Sequence, residues 1–348
     1  MTRREQPSGR ELPDFGMRLH GGIEPQRCVE LAEAADAGGF TSVWFAENPF
    51  GRGALPAASA CAVATRRARI GIGVFNPYNR HPTLIAMEIG ALDELSHGRA
   101  GLGIGSGIGA AVERMGLNYD RPLAAVRDAI VIVRALLQGE EVDYEGRVFS
   151  ARKAKLDFKP RRPELPLFVA ARGDQALKLC GELADGLMIS NSSPAAFTAH
   201  AVATMREAAR AAGRSGPFEV LQYVPCAARP DRDEARHMVK SSIAAMLPEF
   251  WSLGERFPAV RAALLRDEAI TEPDFAAAVA RLKAGERAQD VLDDRFLDAF
   301  GLAGTAEDCL AQASVYAKAG VSELVLTFVG PQPQDDIAYL GRAVREHS

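Results

Sequence analysis

Short β-branched and apolar runs alternate along this chain with longer stretches whose apolar positions recur at helical spacing. That is the pattern of βα units around a parallel sheet. The first strand is predicted over about Phe15–Leu19, and a helix follows from Glu24 to about Ala37. Pro25 sits in the first turn, where a helix tolerates proline, and Gly38-Gly39 stops it. Cys28, Leu31, Ala32 and Ala35 form its i, i+3, i+4, i+7 face. Ser42–Ala46 reads as the second strand, about Pro56–Thr65 as a helix, and Arg69–Val74 as the third strand. The next helix opens at Pro82, with Ile85, Ile89 and Leu92 on one face. Ala100–Gly105 is the fourth strand, followed by helical sequence to about Leu137.

Val142–Phe149 reads as a small surface hairpin around Glu145-Gly146. The fifth strand is Leu167–Ala171, with its helix at Asp174–Ala184; the sixth is Gly186–Ser190, and the seventh lies within Glu219–Ala227. Ala245–Phe300 is helical and loop-like without a clear strand, an insertion before the last unit. Glu323–Phe328 is the eighth strand, and a helix from about Asp335 to Glu346 closes the chain. Eight strand signals, each followed by a helical one, point to an α/β fold of the (β/α)8 TIM-barrel type. An open doubly wound sheet uses the same alternation and is the alternative. The expected organisation is a loose polar tail over 1–12 and one barrel domain over 13–348, with the insertion at about 245–300.

Composition adds constraints. Of 348 residues, 47% are apolar and 25% charged, a balance that supplies a large core. A net charge of −4 offers no general attraction for nucleic acid or anionic lipid. No apolar run approaches the ~18 residues that span a bilayer, and Met1–Leu12 lacks the apolar stretch of a signal peptide. Five scattered cysteines, with no CxxC pair, suit a reduced compartment, and neither a disulfide nor a metal site is expected. A cytoplasmic enzyme acting on a small molecule is the expectation.

In a barrel, chemistry sits at the C-terminal ends of the strands. The third strand ends in Gly71-Ile72-Gly73-Val74-Phe75-Asn76-Pro77-Tyr78-Asn79-Arg80-His81-Pro82, and the fourth in Gly101-Leu102-Gly103-Ile104-Gly105-Ser106-Gly107-Ile108-Gly109. The fifth ends in Ala170-Ala171-Arg172-Gly173-Asp174. Glycine lets a flat ring lie against backbone and frees N–H groups to face an anion at a helix start. Gly105-Ser106-Gly107 and Arg172-Gly173 each lie between a strand and a helix, and close packing of strand on helix is an equal reading of either turn. Gly105-x-Gly107-x-x-Ala110 formally fits a dinucleotide fingerprint, but no acidic strand end stands ~20 residues later, as that motif requires.

Gly71-x-Gly73-Val74-x-Asn76-Pro77-Tyr78-x-Arg80-x-Pro82 resembles the third-strand segment of methylenetetrahydromethanopterin reductases. Leu92-Asp93-Glu94-Leu95-Ser96-x-Gly98-Arg99, with Gly103-Ile104-Gly105 and Glu182-x-x-Asp185-Gly186, resembles the wider luciferase-like flavin and deazaflavin oxidoreductases. The resemblance covers about Phe15 to Val344 and is weakest across the insertion. It implies a (β/α)8 barrel, a reduced deazaflavin (coenzyme F420) as cofactor, and a non-proline cis peptide, here Gly73–Val74, as a backstop to the ring. It also implies that Gly73, Val74, Phe75, Asn76, Gly105, Ser106, Gly107, Ala170, Ala171, Arg172 and Gly173 line the cofactor. Ser190 and Asn191 then lie near its phosphate, and a homodimer pairs through barrel helices.

The chain departs from the family where deazaflavin relatives carry Asp-His after the second strand: here stand Glu47-Asn48. Ile108 takes the place of an acid after the fourth-strand glycines. The usual proton carriers are thus missing or changed, which favours reduction of an imine or activated alkene over oxidation of an alcohol. A flavin mononucleotide (FMN)-dependent monooxygenase is the alternative, and a non-catalytic flavin-binding protein a further one. Glu47, Asn48 and His20 are the candidate substrate contacts; for Glu47 a solvated loop carboxylate or a helix cap is an equal reading. His81 fits a capping role, Tyr78 a structural one, and Glu88 a paired carboxylate. Arg172 fits an anion partner, against a plain surface salt bridge. Trp44 fits the core, and Trp251, in the insertion, a cover over the substrate mouth.

Overall fold

The computed structural model describes residues 11–346, so the polar start expected as a tail lies outside the described residues except for Glu11 and Leu12. Eleven strands follow in chain order: β1 (Asp14–His20), β2 (Ser42–Ala46), β3 (Arg69–Phe75), β4 (Ala100–Ile104), β5 (Val142–Glu145), β6 (Ser150–Ala154), β7 (Leu167–Ala170), β8 (Gly186–Ile189), β9 (Glu219–Ala228), β10 (Leu302–Gly304) and β11 (Glu323–Phe328). The main sheet runs β1-β2-β3-β4-β7-β8-β9-β11 and returns to β1, with every neighbour parallel. Pairing of β8 with β9 and of β11 with β1 closes it into an eight-stranded barrel. The open doubly wound alternative is excluded by that closure.

Side-chain parity sorts each strand into two faces. On β1, Phe15, Met17 and Leu19 are buried under the helices, while Gly16, Arg18 and His20 take the barrel side. Inside, Trp44 meets Phe168 edge-on at 5.3 Å, and Met188, Leu221, Tyr223 and Val325 complete that layer. The glycines of β3 and β4 make room for the indole: a Cβ on Gly71 would collide with Trp44, and one on Gly101 would stand 3.0 Å from it. Trp44 is therefore core, as its sequence context indicates. The barrel floor is polar, with Glu323 accepting from the Thr41 hydroxyl at 2.8 Å and from the Ser42 hydroxyl, and Arg69 paired to Glu219 at 2.7 Å.

Four expectations need correction. The helical sequence after β4 breaks into Gly109–Arg114 and Pro122–Leu137, because Gly116 at φ +77° ends one helix and Pro122 starts the next. The hairpin pairs β5 with β6, so its second strand lies beyond Phe149; the Asp128 carboxylate accepts from the Val148 and Phe149 N–H groups (2.8 and 3.1 Å) and holds them as loop. The helical excursion expected from Ala245 begins with the helix Arg232–Arg256, and β10, just past the expected insertion and not assigned from the sequence, pairs with the end of β9. Trp251 covers no mouth: it stacks on Phe275 at 5.5 Å, under the Arg261 guanidinium at 3.7 Å, 8% exposed in a separate apolar cluster. All five cysteines are buried free thiols, and no helix among the described residues is long and apolar enough to cross a membrane.

Candidate functional site

The C-terminal end of β3 is built around space that only glycine leaves. The Gly73–Val74 peptide is cis, as the motif implied, and the Gly73 carbonyl accepts from the Tyr223 hydroxyl at 3.1 Å. A Cβ on Gly73 would fall on that hydroxyl, and one on Gly105 would stand 2.9 Å from Val74. Val74 therefore leans over the glycine row of β4. Gly107 is required twice, since its φ is +73° and a Cβ there would collide with the Asn76 amide. Asn76 in turn accepts from the Tyr78 N–H at 2.9 Å, fixing the exit from β3. Tyr78 donates to the Asp120 carbonyl and packs on Tyr119, the structural role its motif suggests. Tyr119 donates to Ser106 Oγ at 3.0 Å, which ties the β4 turn to the following loop.

Beside this surface lies a cavity of about 500 Å³, bordered by Ser106, Ala170, Arg172, Gly173, His200 and Arg266. Gly173 caps the helix Asp174–Leu183, whose first N–H groups open toward the same side. Arg172 is the central side chain. Its Nη2 donates to Ser190 Oγ and the Asn191 carbonyl, both at 2.7 Å, and to Ser193 Oγ at 3.1 Å. Its Nη1 is sealed from solvent without a partner, as is Oδ1 of Asn191. No ion pair holds this guanidinium among the described residues, so the surface-salt-bridge reading is set aside, and burial pushes its pKa down to about 10. The structure thus brings Ser190 and Asn191 to Arg172, and Ser106 and Ala170 to the same cavity. Ala171 follows at the end of β7, half-buried.

The candidate substrate contacts fare differently. Glu47 is not a solvated loop carboxylate: its side chain is 9% exposed and lies 3.4 Å from Arg80, which also pairs with Glu88 at 2.5 Å and covers the Phe75 ring. Burial pushes the Glu47 carboxyl up despite Arg80, and Glu88 adds to the rise. Asn48 is exposed, and its side chain accepts from the Phe50 N–H at 3.0 Å, closing its own turn. His20 stands at the barrel mouth; its Nδ1 accepts from the Gly22 N–H at 3.1 Å. Burial and the neighbouring Arg18 lower its pKa, so the ring is neutral with its proton on Nε2. His81 caps its helix by accepting from the Thr83 N–H at 3.3 Å, and Glu88 is the paired carboxylate expected.

Sequence reasoning missed Tyr223 and Arg80 as parts of this surface, and Arg18 beside it. For Arg18 a signal was present: in Gly16-Met17-Arg18-Leu19-His20 the alternation puts an arginine on the face away from the helices. Tyr223 lies inside a run that is buried on both faces, where period-2 alternation vanishes.

Known proteins match this arrangement along almost its full length. The 5,10-methylenetetrahydromethanopterin reductase of Archaeoglobus fulgidus is 32% identical over 339 residues, 95% of this chain and 98% of that protein. The enzyme of the same name from Methanolobus tindarius is 30% identical over 95% of this chain and 99% of its own length. The solved coenzyme F420-dependent tetrahydromethanopterin reductase from Methanopyrus kandleri superposes with a TM-score of 0.81 at 26% identity, covering 97% of this chain and 99% of that one. The luciferase-like monooxygenase family model matches residues 12–323, and the chain belongs to that family.

Proposed function

We propose that this protein is a coenzyme F420-dependent reductase that delivers hydride to a small organic acceptor, an imine or an activated alkene. The observation that carries the reading is the unpartnered Nη1 of Arg172, buried at a cavity beside a helix N-terminus and Ser106 of the glycine-rich turn after β4. A buried cation without a counter-charge is unfavourable unless an anion meets it, and a phosphate-bearing cofactor supplies one. The Methanopyrus relative is coenzyme F420 dependent by name, which supports choosing a deazaflavin.

When bound, the deazaflavin supplies a hydride donor at ring carbon C5. In this reading Gly73, Val74, Phe75 and Asn76 support one face of the ring. Gly105, Ser106, Gly107, Ala170 and Ala171 border its polar edge, and Arg172, Gly173, Ser190 and Asn191 take the phosphate. His20 presents its Nε2–H as a hydrogen-bond donor where negative charge develops on the acceptor, and solvent supplies the proton that completes the reduction. Glu47 acts at one remove by fixing Arg80 against Phe75, and Asn48 shapes the adjoining loop. The reductive direction rests on the want of a free base in this set: no carboxylate is unengaged, and the His20 nitrogen that could take a proton from an alcohol already accepts from the Gly22 N–H. A homodimer belongs to the proposal: Leu84, Met87 and Leu95 on one helix and Val63 on its neighbour are exposed apolar side chains suited to being covered.

The test is anaerobic oxidation of reduced F420 by a panel of cyclic imines and conjugated enoates, followed by loss of the reduced cofactor. Turnover without oxygen is the expected result. Turnover only with oxygen and reduced FMN would move the protein to the monooxygenase side of its family.

A further inference from the structure

Arg18 is a second arginine without a counter-charge, and the cofactor reading gives it no task. It occupies the inward face of β1 between Gly16, whose Cα faces Ser42 and Glu323 on the barrel floor, and His20 at the mouth. Across the sheet it pairs in register with Trp44. Its guanidinium lies 5.2 Å from the centre of the Tyr223 ring, and that phenol donates to the carbonyl of the cis peptide. Arg18 is thus one side chain away from the surface that supports the cofactor ring.

Its Nε is sealed without a partner, no carboxylate pairs with it among the described residues, and burial lowers its pKa. Thr327, two positions past the Gly16–Val325 pair, stands level with it on β11, and its Oγ1 is likewise sealed without a partner. One unmet donor and one unmet hydroxyl on adjacent strands, facing the barrel interior, describe a site for a group with acceptor oxygens. Around the loops at this end of the barrel, Phe50, Ile108 and Phe257 are exposed, which suits an acceptor with an apolar body.

We propose that Arg18, with Thr327, binds the carboxylate of the substrate, and that the acceptor is a conjugated enoate. The inference rests on the F420-dependent reading and narrows it. Of the two acceptor classes, a cationic imine is disfavoured beside an unpaired guanidinium, whereas an alkene joined to a carboxylate gains from it. Pairing neutralises the charge that otherwise opposes hydride arriving at the conjugated carbon. The neutral Nε2–H of His20, one layer above, hydrogen-bonds the enolate oxygen that forms, and solvent supplies the proton to carbon.

The experiment uses the full chain loaded with oxidised F420, so that no turnover occurs. Crotonate and cinnamate, each beside its amide, are titrated into wild type, Arg18→Met and Arg18→Lys by calorimetry. Wild type is expected to bind at least one acid about tenfold or more tightly than its amide, the yield of a charge-assisted contact. Arg18→Met erases that preference and leaves F420 affinity unchanged, and Arg18→Lys keeps part of it. The apo Tm of Arg18→Met stays level or rises, because an unpaired cation has been removed; a structural arginine would lower it. Equal binding of acids and amides, or no binding of either acid, overturns the inference while leaving the cofactor reading intact. Loss of F420 affinity in Arg18→Met also overturns it, assigning Arg18 to the cofactor. Failure of wild type to bind F420 removes the cofactor reading and this inference together.

Discussion

Arg172→Met separates the phosphate contact from every other part of cofactor binding. In the apo protein two effects oppose each other. Burial pushes the Arg172 pKa down to about 10, a charge-desolvation cost on the order of 3 kcal/mol that the substitution relieves. Against that stand the lost hydrogen bonds to Ser190, Asn191 and Ser193, the first of which is exposed. Apo stability should therefore move little, and the substitution reads out on the ligand. Losing a charge-assisted contact to a phosphate costs about 1.5–3 kcal/mol, so the F420 Kd should rise roughly 10- to 150-fold. The comparison ligand is the deazaflavin riboside that lacks the phosphate, whose affinity should change by less than about threefold. Thermal shift gives an independent reading. A ligand at 100 times its Kd stabilises by about 2.7 kcal/mol, and a thirtyfold weaker Kd leaves about 0.9 kcal/mol at the same concentration. Equal losses for the two ligands, or no loss for F420, would refute the assignment of Arg172 to the phosphate.

Arg80→Met leaves Glu47 and Glu88 without their shared cation and should destabilise by about 1–3 kcal/mol at pH 8. Both carboxyls are already pushed up, so the deficit should shrink as pH falls and they protonate; a deficit constant between pH 5 and 8 in thermal melts would count against the pairing. Glu323 is a buried acid whose folded pKa lies above its unfolded value, so its contribution is fully present below about pH 4 and is lost as pH rises through the folded pKa. Glu323→Gln should accordingly melt above wild type at pH 8 and level with it near pH 4, and the opposite order would show that Arg69 governs the site.

Much of the fold is legible because period and turn chemistry agree. Ser42–Ala46 and Glu323–Phe328 are bounded in the structure where the sequence pattern bounds them, since apolar runs there end against turn residues. Leu302–Gly304 carries no β-branched residue and becomes a strand only because the end of β9 offers it a partner. Trp251 was readable in another way: Val239, Ile243, Leu247 and Trp251 recur every fourth residue, which marks the buried face of one helix. The cofactor surface was legible through its glycines, whose missing side chains leave a trace in any sequence. Arg18 and Arg80 were harder, because what defines them is a partner absent in one case and doubled in the other. Glu47 shows the same limit: its position after β2 was plain, but its engagement by Arg80 depends on a residue 33 positions away.

The most direct test of the central claim is a side-by-side titration of the purified apo-protein with coenzyme F420 and with FMN at one ionic strength. The account predicts tight, saturable F420 binding and weak FMN binding. Preference for FMN would contradict it.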